Sequence, residues 1–199
     1  MEIIKFRKDV SLRLTRPVSV LLARSRITPN MLTWTGLVIT IGAGALIGTG
    51  HLFAGGWVML GAAVFDMFDG ALARYSKSTT KFGAALDSTL DRFEEAVILI
   101  AIMAWFVQTD AAWPAVLAAG TLVFSYMVSY IRARAEGLGL ELKEGIFTRT
   151  ERVIVLALGL FLSRWIAALI TALSVILLLS LITAGQRLFL VYKKAKIQN

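Results

Sequence analysis

Cysteine is absent from this 199-residue chain, and with it every disulfide and every thiolate metal site. Histidine occurs once, at His51, which excludes zinc centres built from several imidazoles. Any metal held here must be a hard cation bound through oxygen, such as Mg²⁺, Mn²⁺ or Ca²⁺. Charge is scarce as well: Asp, Glu, Lys and Arg make up 17% of the residues, against roughly 25% in ordinary globular domains. There is no visible repeat, low-complexity segment or linker.

What is present is apolar. Hydrophobic residues make up 57% of the chain, and its mean hydropathy is +0.74. The charges cluster between long apolar runs, the pattern of a polytopic helical membrane protein. Six runs are long enough, or nearly so, to span a bilayer: Met31–Gly50, Leu52–Tyr75, Phe82–Gln108, Ala112–Ala135, Glu151–Ser163 and Trp165–Tyr192. The fifth falls short of the ~20 residues a span needs and must borrow from its charged N-terminal flank. The expected fold is an all-α integral membrane protein. It has an amphipathic juxtamembrane helix over residues 1–26 and one six-helix membrane domain over 27–199. The first stretch is no signal peptide, because its apolar piece Val18–Ala23 is too short and lacks a cleavage site. Lys5, Arg7, Lys8, Arg13 and Arg16 would face anionic head groups, or serve as an ordinary basic flank.

Lys and Arg placement sets the orientation. The N-terminus, the connections after segments two and four, and the C-terminus are basic, whereas the other connections hold only Arg164. Both termini are expected on the cytoplasmic side of the cell's inner membrane. Trp57, Trp105, Trp113 and Trp165 fall near the opposite ends of the spans, as an aromatic belt would. With the basic residues assigned to the lipid bilayer, no nucleic-acid partner is expected.

Segment two carries Asp66 and Asp69; segment three carries Asp87 and Asp91. Spacings of three and four residues put each pair on one face of its helix. Folding the two segments as neighbouring antiparallel helices about residue 78 sets Asp69 level with Asp87 and Asp66 level with Asp91. At about 1.5 Å per residue the four lie roughly 13–19 Å from the turn. Four carboxylates at one depth raise one another's pKa, and desolvation adds to that. One or two divalent cations resolve the conflict. Salt bridges to nearby Arg are the competing reading, but basic residues are scarce at that depth. A cation or proton pathway is another.

The residues between the Asp pairs narrow the choice. The run Asp66-Met-Phe-Asp69-Gly70-Ala-Leu-Ala73-Arg74, eight further residues, then Gly83-Ala-Ala-Leu-Asp87-Ser-Thr-Leu-Asp91 resembles the signature of the CDP-alcohol phosphotransferases. All eight defining positions match, within 26 residues, too many for coincidence at ordinary residue frequencies. Gly70 and Ala73 are nearly free of side chain, so a flat group such as a cytosine ring could approach the helix; close helix packing is the alternative. Arg74 suits phosphate oxygens, or snorkels at the membrane edge. Gly83 would let the hairpin pack tightly.

The resemblance implies a metal-dependent enzyme, and for these residues it implies roles. Asp66, Asp69, Asp87 and Asp91 would hold Mg²⁺ or Mn²⁺, two ions in all. Asp91 would also be the catalytic base that deprotonates the acceptor hydroxyl, and CMP would leave. Asn30, Thr33, Asp69, Gly70, Ala73 and Arg74 would bind the CDP-lipid. Thr28-Pro29-Asn30 and Thr33 resemble a Thr-Pro-Asn-x-x-Thr run of the same family, although Thr28 and Pro29 also read simply as a helix start. A homodimer is implied too. Glu95, four residues beyond Asp91, could line the acceptor pocket or pair with a basic residue from another span.

For the acceptor, Ser129-Tyr-Ile-Arg132-Ala-Arg134-Ala-Glu136, Arg149-Thr-Glu-Arg152 and Gln186-Arg187 resemble the phosphatidylinositol-phosphate synthase branch of this family. By that resemblance Ser129, Arg132, Arg134, Arg152 and Arg187 would hold the phosphate of inositol 1-phosphate, with CDP-diacylglycerol as donor. Converging guanidiniums suit a phosphate monoester. Glycerol 3-phosphate is also one, so a phosphatidylglycerophosphate synthase is the runner-up. Arg149 reads as a positive flank. A cation transporter, the reading from another class, would be expected to show inverted repeats or broken helices, and neither is found.

Overall fold

The helices start where the sequence supplies a cap and stop where it supplies a turn. The computed structural model describes residues 27–76, 78–142 and 144–198. Six helices lie within them: α1 (Pro29–Gly48), α2 (Leu52–Tyr75), α3 (Lys81–Gln108), α4 (Ala112–Gly137), α5 (Arg149–Phe161) and α6 (Ile166–Gln198). The basic stretch 1–26, read as a surface helix, lies outside the described residues. Thr28 is extended and its hydroxyl accepts the Met31 N–H, with Pro29 opening the helix, so the start of α1 is satisfied locally. Thr80 does the same for α3, accepting the Gly83 N–H at 2.9 Å. Thr148 and Glu151 close a reciprocal capping box on α5. After α1 the chain turns through Gly50 at φ +88°, a conformation that residues with a Cβ rarely adopt.

Four helices are long and apolar enough to cross a membrane: α1, α2, α4 and α6. The other two are exceptions for different reasons. Helix α3 is 28 residues long, but Asp87, Asp91, Arg92, Glu94 and Glu95 crowd its first half. Helix α5 has only 13 residues.

The helices close into a ring in the order α1, α2, α5, α6, α4, α3, each packed on the next. Small residues let backbones approach: a Cβ on Gly159 would fall 2.6 Å from that of Ala172 on α6, and one on Gly44 2.7 Å from Val97 on α3. The apolar interior around Ile47, Ile102, Phe106, Leu160 and Leu173 is at most 1% exposed. It fills the end of the ring away from the α2–α3 turn.

Two expectations change. Helices α2 and α3, consecutive in sequence, do not pack on each other as a tight hairpin; α1 packs on both and holds them apart. Gly83 therefore does not serve an α2–α3 contact, since a Cβ there would meet Thr80 Oγ1 at 3.0 Å and Asn30 Oδ1 at 3.3 Å. Helix α5 takes only Arg149 and Thr150 from its charged flank and ends at Phe161, so it stays at 13 residues. It starts beside Asp66 and ends against Gly56 and Trp57, antiparallel to the first half of α2. Asp66 is about 14 Å from the Tyr75 end of α2, and 13 residues of helix add about 20 Å. Helix α5 is short because it begins at the level of Asp66, well before the Tyr75 end of α2.

Candidate active site

The gap that α1 keeps between α2 and α3 is a cleft of about 170 Å³. Helix periodicity decides what lines it. Asp69, Gly70, Ala73 and Arg74 face it from the last turns of α2, Gly83 and Asp87 from the first turns of α3, and Asn30 and Thr33 from the start of α1. The Thr33 hydroxyl donates to Asp69 Oδ2 at 2.7 Å, pinning one carboxylate oxygen. Arg74 curls back along its helix until Nη1 lies 3.2 Å from where a Gly70 Cβ would be. The cleft thus has a carboxylate end, a guanidinium end, and a floor of Gly70 and Ala73 without bulky side chains.

One turn deeper, Asp66, Asp91 and Glu94 converge, each offering an oxygen within 4.8 Å of the others. Gly36 on α1 makes this possible, because a Cβ there would collide with Asp66 Oδ1 and approach Glu94 Oε1 to 3.3 Å. The register expected for a hairpin is thus reached across a gap: Asp66 stands with Asp91, and Asp69 and Asp87 share the cleft. The expectation that cations are scarce at this depth does not hold. Arg149, from the first turn of α5, reaches Asp91 Oδ1 at 2.5 Å, Glu94 Oε2 at 2.5 Å and Asp66 Oδ2 at 3.3 Å. Arg92 adds a contact to Asp91 at 3.3 Å. Asp66 Oδ1 remains buried with no hydrogen-bond partner.

The five residues assigned to the acceptor phosphate are less uniform. Arg152 is 2% exposed and holds Glu95 in a two-pronged fork, Nε to Oε1 at 2.6 Å and Nη2 to Oε2 at 2.9 Å. Its Nη1 is buried without a partner. Arg187, 3% exposed, donates to the carbonyls of Val128 and Glu144 at 2.6 and 3.0 Å, which fastens the α4–α5 connection to α6. Lys194 reinforces that fastening through Glu141 O and the Glu144 carboxylate. Ser129 is half-buried on α4, one turn beyond buried Ser125. Arg132 pairs with Glu136 on the same exposed face. Arg134 is exposed on the last turn of α4 and has no ionic partner among the described residues. Arg152 and Arg187 are thus the buried guanidiniums of the set, and both are already partly engaged.

Six of the eight motif residues line one cleft, and the comparison with known proteins decides the family. The model of the CDP-alcohol phosphatidyltransferase family matches residues 26–185. The chain belongs to the CDP-alcohol phosphatidyltransferase family. It is 40% identical over 156 residues to the phosphatidylinositol phosphate synthase of Corynebacterium glutamicum, covering 75% of this chain and 70% of that one. It is 36% identical over 187 residues to the enzyme of the same name from Mycobacterium tuberculosis, covering 90% and 86%. The crystal structure of the M. tuberculosis synthase with CDP-DAG bound superposes with a TM-score of 0.84 at 34% identity, covering 90% of this chain and 94% of that one. A second crystal structure, with manganese and citrate, gives a TM-score of 0.83 at 33% identity, covering 89% and 88%. With family membership and four helices apolar enough to cross a bilayer, this is a membrane enzyme.

The side chains present suit the divalent ion that the family uses. The converging oxygens are hard ligands, and an unpartnered buried carboxylate oxygen is otherwise costly. Two residues of this phosphatidyltransferase site were not picked out from the sequence. Glu94 lies outside the eight-position motif, though its i, i+3 spacing from Asp91 was a usable signal. Arg149 read as a flank because nothing in its neighbourhood along the chain says that α5 begins deep.

Proposed function

We propose that this enzyme transfers the phosphatidyl group of CDP-diacylglycerol to a hydroxyl of inositol 1-phosphate, releasing CMP and forming phosphatidylinositol phosphate. The observation that carries the reading is the cleft itself. Its lining includes Asn30, Thr33, Asp69, Gly70, Ala73 and Arg74, which supports the CDP-lipid assignment in a chain 34% identical to a synthase crystallised with CDP-DAG.

In this reading Arg74 binds pyrophosphate oxygens, and the cytosine lies over Gly70 and Ala73. Asn30 and Thr33 border the nucleotide, Thr33 also fixing the rotamer of Asp69. Asp66, Asp69, Asp87 and Asp91 hold Mg²⁺ or Mn²⁺, which supply charge neutralisation on the pyrophosphate. Asp91 accepts the proton of the attacking hydroxyl. The acceptor phosphate sits toward α4–α6, near the buried guanidiniums of Arg152 and Arg187. Arg152 Nη1 offers a free donor there, with Ser129, Arg132 and Arg134 nearer the surface. Glu95 orients Arg152 and does not touch the acceptor.

The same reading carries the finer topology. All six helices belong to the bilayer-embedded domain, the short α5 starting at the level of Asp66 and not at the membrane edge. Residues 1–26 lie on the cytoplasmic face of the inner membrane as an amphipathic helix, and 27–199 form the membrane domain. Both termini and the active site face the cytoplasm, and two copies associate as a homodimer. Glycerol 3-phosphate is the second acceptor to examine, since the arginines recognise a phosphate monoester and not a ring. CMP release by purified enzyme with CDP-diacylglycerol and Mn²⁺ tests the reading: turnover is expected with inositol 1-phosphate. Turnover with glycerol 3-phosphate alone would replace the acceptor and keep the family chemistry.

A further inference from the structure

Arg149 is the residue that the transfer reaction leaves without a role. Its contacts differ in kind from those of its neighbour Arg152. Arg152 grips one carboxylate with a fork, the geometry of a fixed ion pair. Arg149 spreads over three carboxylates, at 2.5, 2.5 and 3.3 Å, with Nε left buried and unpartnered. Such a guanidinium neutralises a cluster and satisfies none of its members fully. Like carboxylates at this spacing cannot all stay ionised alone, so a cation or a shared proton must offset their charge. Asp66 and Asp91 are also the residues assigned to the metal. One positive charge near them already excludes much of the gain from a second.

We propose that the Arg149 guanidinium and the divalent ion compete for the oxygens of Asp66 and Asp91, and that Glu94 is the anchor that keeps Arg149 when the ion enters. Glu94 is suited to anchoring because it is 5% exposed, outside the family motif, and makes one of the two shortest contacts to Arg149. Arg149 opens α5 immediately after its cap, so its long side chain can pivot without unwinding the helix. Arg149 offsets only part of the charge of three carboxylates, so an ion can still load and draw Asp66 and Asp91 away from it while Glu94 retains it.

The inference rests on the reading of Asp66 and Asp91 as metal ligands, and the experiment separates the two. Mn²⁺ binding to the purified full chain, without substrates, is measured by titration calorimetry or by the Mn²⁺ EPR signal. Arg149→Gln is expected to tighten Mn²⁺ binding by about tenfold. It should also lower the melting temperature of the metal-free protein, and Mn²⁺ should restore that loss. Arg149→Lys, which keeps the charge, should stay near wild type in both. Glu94→Gln should weaken Mn²⁺ binding in the wild-type background and leave it unchanged in Arg149→Gln. Unchanged or weaker Mn²⁺ binding in Arg149→Gln, with a melting loss that Mn²⁺ does not repair, overturns the competition. Equal weakening by Glu94→Gln in both backgrounds makes Glu94 a direct ligand and overturns the anchor. Mn²⁺ binding that survives Asp66→Asn and Asp91→Asn would instead remove the metal-ligand reading beneath it.

Discussion

The two sides of the site are built differently. On the α1–α3 side, the cleft is open and its lining groups point into it, with Thr33 on Asp69 the chief internal contact. On the α4–α6 side, two of the guanidiniums are buried and already employed: Arg152 in a fork with Glu95, Arg187 on two backbone carbonyls. The first side is a preformed receptacle. The second doubles as the fastening that holds α5 and its connection in the ring. Substitutions on the first side should therefore cost catalysis or donor affinity with little loss of stability. On the second side the two should fall together.

Asp91→Asn is the largest expected effect and probes the carboxylate cluster one turn below the cleft, where Asp91 is paired with Arg149: kcat for CMP release should drop by about a thousandfold with only a modest fall in melting temperature. A collapse in stability instead would mean that Asp91 is chiefly a structural partner of Arg149. Arg152→Ala tests the other side. Removing one member of a buried pair strands Glu95 and should cost about 3–5 kcal/mol of stability, together with a raised KM for the acceptor. The double change Glu95→Gln with Arg152→Met should recover much of the stability and none of the acceptor affinity. Ala73→Leu should raise KM for CDP-diacylglycerol by about tenfold and spare KM for the acceptor, because it fills only the cleft. Arg132→Ala is the smallest in stability. Its exposed i, i+4 pair with Glu136 is worth about 0.3–0.5 kcal/mol, so the melting temperature should hardly move, and any rise in acceptor KM reports direct contact.

The same contrast separates what was legible in the sequence from what was not. The Asp66/Asp69 and Asp87/Asp91 pairs could be placed on single helix faces from spacing alone, because a residue's face is a local property, whereas Gly70, Ala73, Arg74 and Gly83 were assigned through the family resemblance. The cap at Thr28 was local as well, and α1 begins where Thr28 puts it; Thr80 and Thr148 act in the same way on α3 and α5, although neither had been picked out as a cap. The hairpin register set the right carboxylates level, but adjacency along the chain was mistaken for contact: α1 stands between α2 and α3. Glu95 was left open between an acceptor contact and a cation from another span, and the fold resolves it as the partner of Arg152.

By itself the sequence determined the chemistry available: oxygen ligands only, two carboxylate pairs on single helix faces, a side-chain-poor strip at Gly70 and Ala73, and six apolar segments. These follow from composition and from a period of 3.6 residues, and both are properties of short stretches. The tertiary structure alone decided that α5 begins beside Asp66, that Arg149 thereby enters the carboxylate cluster with Glu94, and that Arg187 fastens a loop. Those outcomes depend on the depth at which one helix starts relative to another. That depth is set by ring closure and small-residue packing at positions such as Gly36, Gly56 and Gly159, far apart along the chain.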